Sequence, residues 1–96
     1  LRNSEPMSAK PAFIIDVRSP LEYANGHLKD AVNIPHDRIE QVIDSIEGLD
    51  KNSSILLYCQ SGARSAFACQ VLAQRGYTRA MNGGAMATLL LNFERA

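Results

Sequence analysis

Two stretches, Phe13 to Val17 and Ser54 to Tyr58, are continuous β-favouring runs, each followed at once by residues that start a helix. A strand half-open to water alternates apolar and polar side chains, whereas an unbroken apolar run belongs to a strand buried on both faces in a parallel sheet. The fold is therefore built from strand–helix units. After Val17, Ser19-Pro20-Leu21-Glu22 supplies an N-cap, a proline at the first helical position and a glutamate three residues past the cap, and Asn25-Gly26 ends that helix. Ala31-Val32-Asn33-Ile34 is a second short strand stopped by Pro35. Asp37 is placed to cap a helix whose apolar positions Ile39, Val42, Ile43 and Ile46 follow the 3.6 period, and Gly48 closes it. The strand Ile55–Tyr58 precedes a helix from about Arg64 to Arg75, closed by Gly76. Thr78 to Asn82 is the expected last strand, followed by a turn at Gly83-Gly84 and a terminal helix carrying Leu89, Leu90 and Phe93.

This alternation predicts an α/β fold, a small parallel sheet of four to five strands with helices on both faces. The expected organisation is a lead-in over residues 1–12 and one domain over 13–96. Ligands of such sheets bind at the carboxyl ends of the strands, which here deliver Asp16-Val17-Arg18, Asn33 to His36, Cys59 to Arg64, and Asn82-Gly83-Gly84 to one edge.

Cys59 stands at the turn from a buried strand to a helix start. Backbone N–H groups converge there on an anion, the helix start adds partial positive charge, and both lower a thiol's pKa. A thiolate at that turn is a nucleophile. Gln60, Ser61, Gly62, Ala63 and Arg64 form the expected anion cradle, with Gly62 allowing the tight bend and Arg64 supplying a cation. Ser65 is placed to bond the sulfur or the helix start. Asp16 and Arg18 take a supporting role at a buried strand end, with Arg18 expected to pair with Glu22. Cys69 reads as a small core residue, with resolution of a persulfide or oxidised Cys59 as the alternative, His27 as a packing histidine, and His36 as an edge residue whose participation the residues leave open.

Ten basic and ten acidic side chains cancel, with no run of either sign, which argues against a nucleic-acid groove or a polybasic membrane patch. No apolar stretch approaches the roughly 20 residues of a membrane span. The cysteine and histidine spacings match neither a disulfide framework nor a zinc site. The chain begins at Leu1, so an upstream tag, segment or signal peptide is expected to have been removed.

In order along the chain, Asp16-Val17-Arg18 with Glu22, Gly26-His27-Leu28, Ala31 to Pro35, Tyr58-Cys59 with Gly62 and Arg64-Ser65, Gly76-Tyr77, and Asn82-Gly83-Gly84 resemble the rhodanese family of sulfurtransferases. The short length is similar to the single-domain, phage-shock type, which implies a periplasmic location, with the cytoplasm as the alternative if Met7 is the start. Two departures stand out. Most members carry an extra strand and helix before the position of Phe13, and many carry a tryptophan three residues past the double glycine, where this chain has Ala87.

The resemblance implies that Cys59 takes the outer sulfur of thiosulfate, or of a related small anionic donor, as a persulfide and passes it to cyanide or a thiol acceptor, including a thiol on a protein. It calls for no metal and no organic cofactor. Related phosphatases and arsenate reductases have one more residue between cysteine and arginine, to enclose a tetrahedral anion, where four intervene here. The alternatives are a relay module that carries a persulfide without turning over small donors, and an oxyanion reductase or phosphatase of the same fold.

Overall fold

The computed structural model describes residues 10–96. Residues 1–9, and with them most of the expected lead-in, Met7 and any strand ahead of Phe13, lie outside the described residues. Four strands, β1 (Phe13–Asp16), β2 (Ala31–Asn33), β3 (Ile55–Cys59) and β4 (Ala80–Ala85), form a parallel sheet in the order β2-β1-β3-β4. Four helices, α1 (Pro20–Ala24), α2 (Ile39–Val42), α3 (Ala63–Gln74) and α4 (Met86–Leu89), fill the crossovers and the C-terminal end.

β3 runs through the middle of the sheet, and all five of its residues are buried. Alternate side chains go to opposite faces, so Ile55, Leu57 and Cys59 join Ile15 and Val17 beneath α2 and α3, where Ile39, Ile43, Ala68 and Leu72 meet them. On the other face Tyr58 packs with Leu28, Ala31 and Met86, flanked by Ile14, Tyr23, Leu89 and Phe93. Both faces are covered, as the unbroken apolar runs required.

The capping box at α1 forms as the sequence predicts: the Ser19 hydroxyl accepts from Glu22 N–H, and the Glu22 carboxylate accepts from Ser19 N–H. Three other readings need correction. Asp37 caps no helix. Arg38 N–H donates to Pro35 O and Gln41 N–H to Arg38 O, a pair of three-residue turns that moves the helix start to Ile39, and the periodic stripe then splits into α2 and a 3₁₀ turn, Ile43–Ser45.

The last strand begins later than expected and contains the double glycine instead of ending before it. Leu57 lies opposite Asn82 while Tyr58 lies opposite Gly84, so Gly83 is the extra residue of a β-bulge. A Cβ on Gly83 would come within 3.0 Å of Leu56 Cδ1 and 3.1 Å of Leu57 O, which is why this bulge takes a residue with no side chain. The terminal helix is a single turn. Beyond it the chain folds back, with Phe93 N–H bonded to Leu89 O and the C-terminal residues bonded to the segment around Leu28, through Lys29 N–H to Glu94 O and Ala96 N–H to His27 O.

Candidate active site

Cys59 is the last residue of β3 and α3 starts at Ala63, so the strand, turn and helix meet around one thiol. Gly62 is the N-cap of α3 and adopts φ +101°, ψ −12°, a backbone conformation that disfavours any side chain. That twist turns the Gly62 N–H inward, where it donates to Cys59 Sγ at 2.9 Å. The Ser65 hydroxyl lies 3.6 Å from the same sulfur. Burial pushes the Cys59 thiol up, but the Ser65 hydroxyl and the amides of Ser65, Gly62 and Ser61 more than offset it, and the net shift is downward. The thiol is fully buried, whereas Gln60, Ser61 and Ala63 are exposed on the rim.

Cys69 provides the contrast. It is a partly buried residue on α3 packed against the larger core, with no anion-stabilising donors, and burial alone pushes its thiol up to about 11. One cysteine is tuned toward ionisation and the other away from it.

The charged residues pair differently from the sequence reading. Arg18 does not pair with Glu22. Asp16 and Arg18, both buried, bind each other, with Arg18 Nη2 2.7 Å from Asp16 Oδ2 and Arg18 Nε 3.0 Å from Oδ1. Arg18 Nη2 also donates to Gly26 O at 2.6 Å, and Nη1 reaches Gln60 Oε1 at 3.4 Å, which ties the end of β1 to the cysteine turn.

Glu22 instead holds Arg64 through two hydrogen bonds of 2.7 and 3.0 Å. The Arg64 guanidinium, followed by the Ser19 N–H, keeps the Glu22 carboxyl down at about 2. Arg64 is therefore half-buried and charge-compensated, a clamp between α1 and α3. Glu22 entered the sequence reading as a capping residue and the expected partner of Arg18; its second role depends on a partner 42 residues away.

Asn82 was missed. Its side chain reaches Ser65, Gly62 and Gly84 at once, and the only trace in the sequence was an amide residue beside the double glycine on the ligand edge. Among the described residues neither histidine hydrogen-bonds the sulfur. His27 stacks on Tyr23 with ring centroids 3.7 Å apart and bonds Tyr23 O, while His36 meets Phe67 edge to face. His36, Ile39, Ala63, Arg64, Phe67 and Val71 contribute to a groove of about 500 Å3 beside the turn. Among the described residues no group of three or more His, Cys, Asp or Glu side chains is arranged to hold a metal ion, and no helix is long and apolar enough to cross a membrane.

A strand-to-helix thiol ringed by amides is shared by several chemistries, and comparison with known proteins decides among the families. The model of the rhodanese-like domain matches residues 3–88. This chain belongs to the rhodanese-like family. A sulfurtransferase of Allochromatium vinosum is 37% identical over 92 residues, covering 88% of this chain and 83% of that protein. The thiosulfate sulfurtransferase PspE of Escherichia coli is 34% identical over 77 residues, covering 80% of this chain and 73% of its own length. Among solved structures, a rhodanese from E. coli with bound anions superposes with a TM-score of 0.80 at 31% identity, covering 88% of this chain and 95% of that one. The human single-domain sulfurtransferase gives a TM-score of 0.73 at 32% identity, covering 85% and 83%. The four-strand parallel sheet with helices on both faces is thus the architecture of a single-domain rhodanese.

Proposed function

We propose that this rhodanese-like protein is a sulfurtransferase that moves a sulfane sulfur from thiosulfate, or a related small anionic donor, through a persulfide on Cys59 to cyanide or a thiol acceptor. The observation that carries the reading is the Gly62 N–H directed at Cys59 Sγ at 2.9 Å, in a turn where burial alone would have kept the thiol neutral. In the first step the Cys59 thiolate attacks the outer sulfur of thiosulfate. A new S–S bond forms, the bond to the sulfonate sulfur breaks, and sulfite leaves with that electron pair. In the second step cyanide or a thiolate attacks the outer sulfur and the Cys59 thiolate is released. This is a double displacement with ping-pong kinetics.

Both species held at position 59, thiolate and persulfide, carry negative charge, so preorganised amides stabilise each without rearrangement. Arg64 is bound to Glu22, so the main-chain amides take the larger share of the anion's charge and Arg64 holds the turn against α1. An acceptor larger than cyanide has the groove lined by Phe67 and Val71 beside the turn. The names carried by the relatives, sulfurtransferase and thiosulfate sulfurtransferase, support the same reading.

The test is an intact mass after incubation with thiosulfate. The protein is expected to gain one sulfur atom and to lose it, as thiocyanate, on addition of cyanide. Cys59→Ser abolishes the gain, and Cys69→Ala leaves it intact. Uptake that survives in Cys59→Ser, or none in the parent, refutes the reading.

A further inference from the structure

Ser65 has one hydroxyl proton and three acceptors around it: Asn82 Oδ1 at 2.6 Å, Gly62 O at 3.1 Å and Cys59 Sγ at 3.6 Å. Which acceptor holds that proton decides whether Ser65 stabilises the thiolate. The Asn82 amide has an unambiguous orientation. Gly84 N–H can only donate and lies 2.9 Å from Oδ1, while Gly62 O can only accept and lies 3.3 Å from Nδ2. Oδ1 therefore faces Ser65 as an acceptor, and at 2.6 Å it takes the shortest of the three contacts. The Gly62 carbonyl competes less well, because it already accepts from Ala66 N–H at 3.0 Å.

We propose that Asn82 is a positioning residue that draws the Ser65 proton away from Cys59 and so holds back the ionisation of the nucleophile. While Cys59 is a thiol, its S–H donates to the free lone pair of Ser65. When the sulfur becomes an anion, Ser65 must swing its proton to Sγ and give up Asn82, which keeps its bond from Gly84. The cost of that exchange is paid at every ionisation. Its benefit is nucleophilicity, which falls as thiol pKa falls. A thiolate whose bond from Ser65 is weakened by the competing Asn82 Oδ1 is the stronger nucleophile once formed. The bulge at Gly83 makes this geometry available, since it sets Asn82 and Gly84 on consecutive pairing positions of β4 beside the cysteine turn.

The inference rests on Cys59 being the reacting thiol, but its test reads ionisation and needs no sulfur donor. In a Cys69→Ala background, the pH dependence of iodoacetamide alkylation reports Cys59 alone. Asn82→Ala frees the Ser65 proton for a charge-assisted bond to the thiolate, so the midpoint falls by about one pH unit, roughly tenfold in thiolate fraction at pH below the midpoint. The limiting rate at high pH also falls, because without the competing Asn82 acceptor Ser65 bonds the thiolate more strongly and makes it the weaker nucleophile. Asn82→Leu, which keeps the branched shape but has no acceptor, behaves the same way.

In a Ser65→Ala background neither substitution lowers the midpoint. A midpoint that is unchanged or raised by both substitutions, or that shifts equally with and without the Ser65 hydroxyl, overturns the proposal. So does loss of the native circular dichroism in both, which would assign Asn82 to the scaffold alone. The two readings fail separately: no sulfur uptake with a Ser65-dependent shift removes the sulfurtransferase reading, and uptake with no such shift removes the role of Asn82.

Discussion

Gly62→Ala tests the amide cradle at the position where backbone geometry and chemistry coincide. At φ +101° a side chain is strained, at roughly 1–3 kcal/mol for a residue forced into such a region. Its Cβ would also stand 3.3 Å from Gly84 Cα and 3.6 Å from the Gly84 carbonyl carbon, both backbone atoms that cannot swing aside. A loss of about 2 kcal/mol follows. At about 4–8 °C per kcal/mol for a domain of this size, the melting temperature should drop by roughly 10 °C.

The second consequence falls on the sulfur. Relieving the strain rotates the Gly62 N–H away from Sγ, and a hydrogen bond to a charged group is worth about 1.5–3 kcal/mol, so the Cys59 midpoint should rise by about one to two pH units. Differential scanning fluorimetry measures the first effect and the pH dependence of alkylation the second. Gly48→Ala is the control. Gly48 also has positive φ, at +85°, and a Cβ there meets only Phe13 Cζ at 3.9 Å, an ordinary contact, so that variant loses stability to strain alone and leaves the thiol unchanged. If the two variants melted alike and Gly62→Ala kept the parent midpoint, the Gly62 amide would not be the group that holds the sulfur anion.

Two further outcomes follow from the charged pairs. Asp16→Ala leaves the 5%-exposed Arg18 charge without its carboxylate, and breaking a buried pair in this way costs about 3–5 kcal/mol, read as a lower urea midpoint; a loss under about 1 kcal/mol would show that Gly26 O and Gln60 alone satisfy the guanidinium. Glu22 has a depressed carboxyl, so its contribution is complete above the ordinary carboxylate range and is lost as pH falls from about 4.5 toward about 2. Because the pair is about one-third exposed, solvent screening holds that contribution to about 1 kcal/mol. Glu22→Gln should flatten the acid limb of stability against pH by that amount, and an unchanged limb would contradict the clamp.

The elements that were legible in the sequence are those whose cause is local. The run Ile55–Tyr58 reads as a buried strand because no partner could make four successive apolar side chains comfortable in water, and the capping box at Ser19 closes within four residues. Cys59 was legible for the same reason: a strand end, a glycine and a helix start are neighbours along the chain, and their amides converge wherever that turn forms. The α2 boundary was less legible because turn bonds from Pro35 and Arg38 compete with Asp37 within a few residues, a contest that propensity does not decide.

The last strand and the ion pairs came from tertiary structure. A double glycine reads locally as a breaker, yet parallel pairing with the buried β3 carries β4 through it to Ala85, and the mismatch is absorbed as the bulge at Gly83. Arg18, Glu22 and Arg64 are long side chains able to reach several partners, and composition balances their charges in any arrangement. Only the tertiary fold, which brings the Glu22 side chain on α1 within reach of Arg64 at the start of α3, assigns Glu22 to Arg64 and leaves Asp16 with Arg18. Asn82 depends on it most fully, since all its roles come from neighbours brought together by a crossover and a bulge. The chain's local order determined a thiol poised at a helix start; the contacts that set how readily it ionises were decided by elements distant in sequence, because a hydroxyl proton answers to distance in space.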